Sequence, residues 1–483
     1  MKSCMHLLLF FLVLIKNTSS QSIIKTLPGY PGPLPFNLET GYISVGENDE
    51  KQLFYYFIES ERDPETDPLL FWLTGGPGCS GFSGLVFEIG PLAFDLASFD
   101  GSFPSLIMNP YSWTKVASII FIDAPVGTGF SYSTTSEDYL ISDTKSASDS
   151  YLFLRKWLLK HPKFLKNRLY VTGDSYGGKI TPMVALEIAK DNELEIEKLK
   201  FYLFPHQDWV MIFQGYTVGN PVTEKKIDIN ERIPYFHKMA LISDEYFELA
   251  KSNCNGEYVN PDPNNDKCLY ALRLVKKCTE RIYESHILEP KCEFLSSKPT
   301  DLLSSQSFME DGPVDFLFLS KQERPWCRNY NYMTAFIWAN NKTVQEALHI
   351  IKGKVSSWQR CNTTICTSNT ASSYEKDVGS VFKHHQLLNE RGFQALVYSG
   401  DHDMSIPYMS TLKWIRNLNL TVDEGWRPWY VDGQIAGYVE KYKSINQAYI
   451  TFATVKGAGH KAPEYKPKEC LAMIERWLSL NPL

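Results

Sequence analysis

The chain reads as an α/β protein: a mostly parallel sheet with helices around it, interrupted by a largely helical, disulfide-braced insertion. Three observations predict this. Short apolar runs of strand length alternate with longer helical patterns. A Gly-x-Ser-x-Gly sequence, Gly173-Asp174-Ser175-Tyr176-Gly177, stands between a strand pattern and a helix pattern. The stretch from about 235 to 385 carries most of the cysteines and few strand signals.

Taken in order, the first element is a targeting segment. Lys2 supplies a positive charge, Leu7 to Ile15 is apolar, and small residues follow at Thr18-Ser19-Ser20. That pattern predicts a secretory signal peptide over 1–20, cleaved near Ser20 and too short to span a bilayer comfortably. Residues 21–483 then form one domain, and no second apolar run is long enough to cross a membrane. The net charge of −6 argues against a nucleic-acid partner. The expected destination is the secretory route. There, disulfides are favoured, and the sequons at Asn341, Asn362 and Asn419 become candidate glycosylation sites. The cysteine spacings match no zinc pattern, and neither metal nor cofactor is expected.

Leu53–Ile58, Leu69–Leu73 and Ser118–Ile122 read as core strands. A helix is predicted over Lys145–Leu159, with Asp143 or Thr144 as its N-cap. Leu169–Thr172 leads into the Ser175 turn, and Thr181–Lys190 carries a helical pattern. Gln214–Val218, Phe393–Tyr398 and Tyr449–Val455 are further strands, and Cys470–Leu478 a closing helix. Residues 201–210 fit badly, with four aromatics between a charged helix end and a core strand.

A serine hydroxyl needs a base to become a nucleophile, and the base needs an orienting carboxylate. In α/β-hydrolases these follow the serine in the order acid, then histidine. Asp403, in the loop after the Phe393 strand, is the expected acid, with Asp401 the competitor better placed to fix the turn. His460, in Gly457-Ala458-Gly459-His460, is the sole histidine beyond Asp403 and the expected base. Two backbone N–H groups should form the oxyanion hole: that of Tyr176, and that of Gly76 in the loop Thr74-Gly75-Gly76-Pro77-Gly78-Cys79.

These residues together resemble the serine carboxypeptidase family. The motifs are Gly-Gly-Pro-Gly-Cys-Ser at 75–80, Asp123-Ala-Pro-Val-Gly-Thr-Gly-Phe-Ser-Tyr132, Gly-Asp-Ser-Tyr-Gly-Gly at 173–178, Gly219-Asn220-Pro221, Ser-Gly-Asp-His-Asp at 399–403 and Gly-Ala-Gly-His at 457–460. The resemblance implies an α/β-hydrolase fold with an insertion, entry to the secretory route with the outside of the cell or the vacuole as destination, and no cofactor. With local spacing, it also implies the disulfides Cys79–Cys327, Cys254–Cys268 and Cys278–Cys292, leaving Cys361, Cys366 and Cys470 unassigned.

Carboxypeptidases of the family hold the substrate carboxylate with an Asn before the paired glycines and a Glu before the serine. Here those positions are Thr74 and Asp174, with Gly75 beside them; Glu88 keeps one acid of a family pair whose other member is Phe87. This pattern is similar to the carboxypeptidase-like acyltransferases of plants, which pass an acyl group from 1-O-acyl-glucose esters of hydroxycinnamic or benzoic acids to an alcohol or amine. Asp401-His402-Asp403, Trp426-Arg427-Pro428-Trp429 and Asp432-x-Gln434-x-Ala436-Gly437 point the same way. Lys461 departs from both branches. The expected partners are therefore a small acyl ester with its acceptor or, in the alternative of an acid-pH exopeptidase, a peptide C-terminus. A non-catalytic binding protein is disfavoured by the intact serine, acid and histidine.

Overall fold

The computed structural model describes residues 22–46, 48–201, 210–291, 327–362, 365, 374–444 and 446–483, with 195–201 described for the backbone alone. One sheet organises it. Its strands are β1 (Ser22–Thr26), β2 (Pro33–Val45), β3 (Lys51–Ile58), β4 (Leu69–Leu73), β5 (Ser118–Ile122), β6 (Leu169–Asp174), β7 (Phe213–Gly219), β8 (Gln394–Gly400), β9 (Thr421–Val431), β10 (Gln434–Lys443) and β11 (Tyr449–Val455). They lie in the order β1-β2-β3-β5-β4-β6-β7-β8-β11-β10-β9. From β5 to β11 neighbouring strands are parallel, and the flanks on both sides are antiparallel.

The central strands are largely apolar because helices cover both faces. Every residue of β4 and β5 is buried. Side chains alternate between the two faces. Leu70 and Trp72 pack with Met473, Ile474 and Trp477 of the C-terminal helix. Leu69, Phe71 and Leu73 pack with Leu154, Trp157 and Val184 from α1 (Asp143–Lys160) and α2 (Gly177–Phe201).

Between β7 and β8 the described residues form helices, turns and isolated bridges. Here α3 (Asp244–Cys254) and α4 (Asp266–Thr279) are joined by the Cys254–Cys268 disulfide. Tyr235, Phe236, Ala250, Ala271 and Val275 form a small core of their own that also takes in Met404. The insertion is thereby packed onto the loop that carries Asp403.

Several expectations are corrected. The N-cap of α1 is Ser142, whose Oγ accepts from the Lys145 N–H at 3.2 Å. Asp143 is instead buried, accepting from the Tyr176 hydroxyl at 2.6 Å and facing Lys179 at 3.3 Å. The helix after Ser175 starts at Gly177 rather than Thr181. The 426–437 motifs form a hairpin, β9–β10, closed by Asp432 and Gly433 with φ of 50° and 72°. Such an Asp-Gly turn between β-rich runs is a hairpin signal in its own right. Trp429 ties this hairpin to β11 by donating its Nε1–H to the Thr454 carbonyl at 3.0 Å.

Cys79 is bonded to Cys361, not Cys327. The reason is a short antiparallel bridge: Ser80 N–H donates to Arg360 O at 2.8 Å and Asn362 N–H to Gly78 O at 2.9 Å, which sets the two sulfurs side by side. Cys327 is disulfide-bonded to a partner outside the described residues. Cys278 is a free, exposed thiol rather than a partner of Cys292. The helix it sits on buries Cys268, Ala271, Val275 and Thr279, and Cys278 lies off that stripe. Cys292 itself, the segment 202–209 and the proposed signal peptide lie outside the described residues. Among those described, no helix is long and apolar enough to cross a membrane.

Candidate active site

The site forms where the parallel strands end. Strand β6 runs into Ser175, whose φ of 52° is left-handed, and helix α2 begins two residues later. The turn is held by Ser175 N–H donating to Gly219 O at 2.8 Å and by Ser175 O accepting from Val222 N–H at 2.9 Å. A Cβ at Gly177 would collide with the Leu73 carbonyl, so the helix must start on glycine to pack this close to β4.

His460 follows β11 and Asp403 follows β8. Ser175 Oγ lies 2.7 Å from His460 Nε2, and His460 Nδ1 lies 2.8 Å from Asp403 Oδ2. Asp403 is fully buried. It also accepts from Asn220 Nδ2 at 2.8 Å, from Ser405 N–H at 2.8 Å and from Ile406 N–H at 3.3 Å. Asp401 does not reach His460; it accepts from Gly457 N–H at 2.7 Å and pairs with His402 Nδ1 at 2.5 Å, bracing both loops. Burial works against a charged His460, but the Asp403 carboxylate outweighs it and holds the imidazole above its ordinary pKa.

Two supporting features escape the sequence reading. Asn220, with a left-handed φ of 41°, donates to Asp403 Oδ2 and accepts from Gly400 N–H at 3.1 Å. Its signal was the Gly219-Asn220-Pro221 turn, since Asn tolerates that conformation. The second is a strap from the insertion. Glu284 O accepts from Met404 N–H at 3.0 Å, and Ser285 O from His460 N–H at 2.7 Å. One stretch of chain thus clamps the acid loop and the histidine loop together.

The glycine-rich loop passes directly over the serine. A Cβ on Gly75 would sit 2.7 Å from Ser175 Cβ, so only glycine allows the approach. Gly75 N–H donates to Asp174 Oδ1 at 3.1 Å, which leaves the N–H groups of Gly76 and Tyr176 as the expected oxyanion donors. Asp123 anchors the far end of the loop, accepting from Ser80 Oγ, Gly81 N–H at 2.8 Å and Phe130 N–H at 2.8 Å. Burial pushes its carboxyl up to about 6 despite these donors.

Beside Ser175 lies a cavity of about 200 Å³, lined by Thr74, Gly75, Asp174, Arg360, His460 and Lys461 among others. Thr74 is tied back, its hydroxyl accepting from Trp72 Nε1 at 3.0 Å. Glu88, fully enclosed, pairs through Oε1 with Lys461 Nζ at 2.7 Å. Burial, then the nearby Glu88 charge, raises the Asp174 carboxyl to about 7. Of the sequons, Asn419 is exposed, Asn341 caps the Lys342–Ala347 helix, and Asn362 donates its amide to Gly127 O at 2.9 Å.

Comparison with known proteins gives one answer. The family model described as serine carboxypeptidase matches residues 28–480. Serine carboxypeptidase-like 10 of Arabidopsis thaliana is 45% identical over 478 residues, covering 99% of both chains. Serine carboxypeptidase-like 17 of the same plant is 46% identical, covering 99% of this chain and 97% of its own. Among solved structures, the prohormone-processing carboxypeptidase Kex1 of Saccharomyces cerevisiae superposes with a TM-score of 0.68. It shares 19% identity and covers 95% of this chain and 94% of its own, a likeness of fold. With nearly its whole length matched by one family and its serine standing on that family's strand–turn–helix, this chain is a serine hydrolase of the serine carboxypeptidase family.

Proposed function

We propose that the enzyme is an acyltransferase that takes an acyl group from a 1-O-acyl-glucose ester, of hydroxycinnamoyl or benzoyl type, and passes it to an alcohol or amine. Ser175 Oγ attacks the ester carbonyl while His460 Nε2 takes its proton and Asp403 steadies the imidazolium. The oxygen of the tetrahedral intermediate accepts from Gly76 and Tyr176 N–H. The glucose oxygen leaves with the proton from His460. The acceptor hydroxyl or amine then repeats the cycle on the acyl-enzyme.

The observation that carries this reading is the carboxylate end of the pocket. Thr74 replaces a longer amide donor and is held by Trp72, and Asp174 is one methylene shorter than a glutamate. Tyr283, Tyr332 and Tyr465 line the cavity and give it the aromatic character that suits an aromatic acyl group. The alternative, release of C-terminal amino acids at acid pH, is favoured by one feature: Glu88 and Asp174 remain as two buried acids, close enough for the Glu88 charge to act on Asp174. Entry to the secretory route and glycosylation, with Asn419 the most open of the three sequons, belong to the same proposal.

The test is comparative. From pH 5 to 8, kcat/KM for a hydroxycinnamoyl glucose ester with an acceptor alcohol should exceed that for blocked dipeptides. T74N with D174E should move the ratio toward peptides by roughly five- to 150-fold, the effect of about 1–3 kcal/mol from one buried hydrogen-bond partner. Efficient release of C-terminal amino acids, with no transfer from any glucose ester, would promote the carboxypeptidase alternative.

A further inference from the structure

We propose that Asp143 is a positioning residue for oxyanion binding: by accepting from the Tyr176 hydroxyl, it fixes the residue whose backbone N–H receives the oxyanion.

The peptide at issue joins Ser175 to Tyr176. Its carbonyl accepts from Val222 N–H at 2.9 Å and from Gly178 N–H at 3.1 Å. In a trans peptide the N–H then points the opposite way. Tyr176 N–H makes no hydrogen bond among the described residues, and neither does Gly76 N–H. Two backbone donors are left over for an oxyanion. The main chain holds the carbonyl end of the peptide, and the Tyr176 side chain tethers the other. That side chain is buried. Tyr374 packs edge-on against its ring at 5.8 Å, and the Lys179 and Lys376 ammonium groups lie 5.3 Å and 5.7 Å from its centre. Its hydroxyl donates to Asp143 Oδ1 at 2.6 Å. Burial, then the bond to Asp143, holds the hydroxyl well above its ordinary pKa, so it stays a donor.

Asp143 is itself a fixed point. It is the first residue of α1 and fully buried. Its second oxygen accepts from Val378 N–H at 3.1 Å and faces Lys179 Nζ at 3.3 Å. The backbone around it is laced to the end of the insertion. Asp143 N–H donates to Glu375 O at 3.2 Å, Ile141 O accepts from Glu375 N–H at 2.8 Å, and Thr144 N–H donates to Asp377 Oδ1 at 3.1 Å. A tyrosine tied to such a platform has little freedom to tilt.

A buried ion pair such as Asp143–Lys179 is weak evidence for stability, because apolar side chains of similar volume often replace one at little cost. Stability alone gives no reason for an aspartate here; a rigid acceptor for the Tyr176 hydroxyl does. The inference rests on Tyr176 N–H as an oxyanion donor, and it is independent of which acyl donor the enzyme uses.

The experiment uses probes that need no known substrate. Phenylboronic acid forms a tetrahedral adduct on the serine oxygen and places a negative oxygen in the oxyanion hole, and a fluorophosphonate labels the same serine. Y176F should weaken boronate binding and slow labelling by roughly ten- to a hundredfold, as expected when a reacting geometry is loosened rather than a donor removed. D143L/K179M removes the acceptor and its cation together. It should show the same loss, and it decides the matter if Y176F does not fold. Adding Y176F to that pair should cost little more, because both break one link. A merely structural bond would lower the melting temperature and leave the boronate affinity of the folded enzyme unchanged, which would overturn the proposal. Full additivity of the variants would overturn it as well. Protein labelled with ¹⁵N-tyrosine tests the underlying assignment separately. The amide peak missing in Y176F should move downfield when the boronate binds to the unmodified enzyme. If that peak stays still, Tyr176 is not an oxyanion donor. If it moves while Y176F binds the boronate normally, the donor assignment stands and the role of Asp143 fails.

Discussion

Two buried aspartates flank His460, and they are built differently. Asp403 meets four donors: His460, Asn220, Ser405 N–H and Ile406 N–H. Asp174 meets one, Gly75 N–H, and keeps an oxygen with no partner among the described residues. A carboxylate wrapped in donors is held still, which suits an orienting acid. A buried carboxyl short of donors keeps a proton near neutrality and has capacity left for a ligand. The acid beside the histidine is complete in itself, and the acid before the serine keeps an oxygen without a partner among the described residues.

The comparison can be broken from either side, and the largest effect should come from the finished side. S175A should lower kcat by about a millionfold, as nucleophile loss does in another triad enzyme, and an active-site serine reagent should label the Ser175 peptide alone. Labelling of a different serine would remove the basis of the mechanism.

D403N comes next, with a loss of about 10⁴ in kcat from the wrong histidine tautomer. D401N, which disturbs only the bracing of the loops, should cost far less. His460 must be neutral to accept the serine proton, and its pKa is held above the ordinary value, so kcat/KM falls as the pH drops through it. Because Asp403 supplies the upward push, D403N should also move this acid limb to lower pH in a rate–pH profile.

A smaller effect is expected at Asn220. N220A removes one donor from Asp403 while leaving its other three. Losing a hydrogen bond to a charged group is worth about 1.5–3 kcal/mol, so kcat should fall by roughly ten- to 150-fold with KM little changed. A change confined to KM would place Asn220 in substrate binding instead.

The smallest catalytic effect, and the sharpest contrast in kind, concerns the disulfides. Cys79–Cys361 closes a sequence separation of 282 residues and holds the oxyanion loop, whereas Cys254–Cys268 closes 14 within the insertion. Chain-entropy arguments give roughly 5 and 3 kcal/mol of stability respectively. Both serine double variants should melt at lower temperature by calorimetry. Only C79S/C361S should also lower kcat in the folded enzyme.

Sequence alone determined the parts governed by local pattern. Strand-length runs rich in apolar and β-branched residues identified β4, β5 and β11 to the residue, because strands buried on both faces carry few polar side chains. Ser175, Asp403 and His460 were legible because each follows a strand, and the end of a parallel strand is where an α/β sheet presents its chemistry. Tertiary structure alone decided the pairings that no local pattern encodes. Cys79 chose Cys361 because backbone bonds from Ser80 and Asn362 drew the two segments together. The β9–β10 hairpin escapes the sequence reading because 426–437 enters it as motifs of a resemblance, not as two strands around the Asp432-Gly433 turn. Asn220 and the 284–285 strap were invisible as positioning groups, since each acts on loops more than a hundred residues away in the chain. Lys461 stood out in the sequence only as an oddity. Its contact, 2.7 Å from Glu88, joins positions 373 residues apart in the chain. Such contacts follow from how a folded sheet brings distant loops to one edge, and the energies that fix them, burial and charge at close range, exist only once water has been excluded.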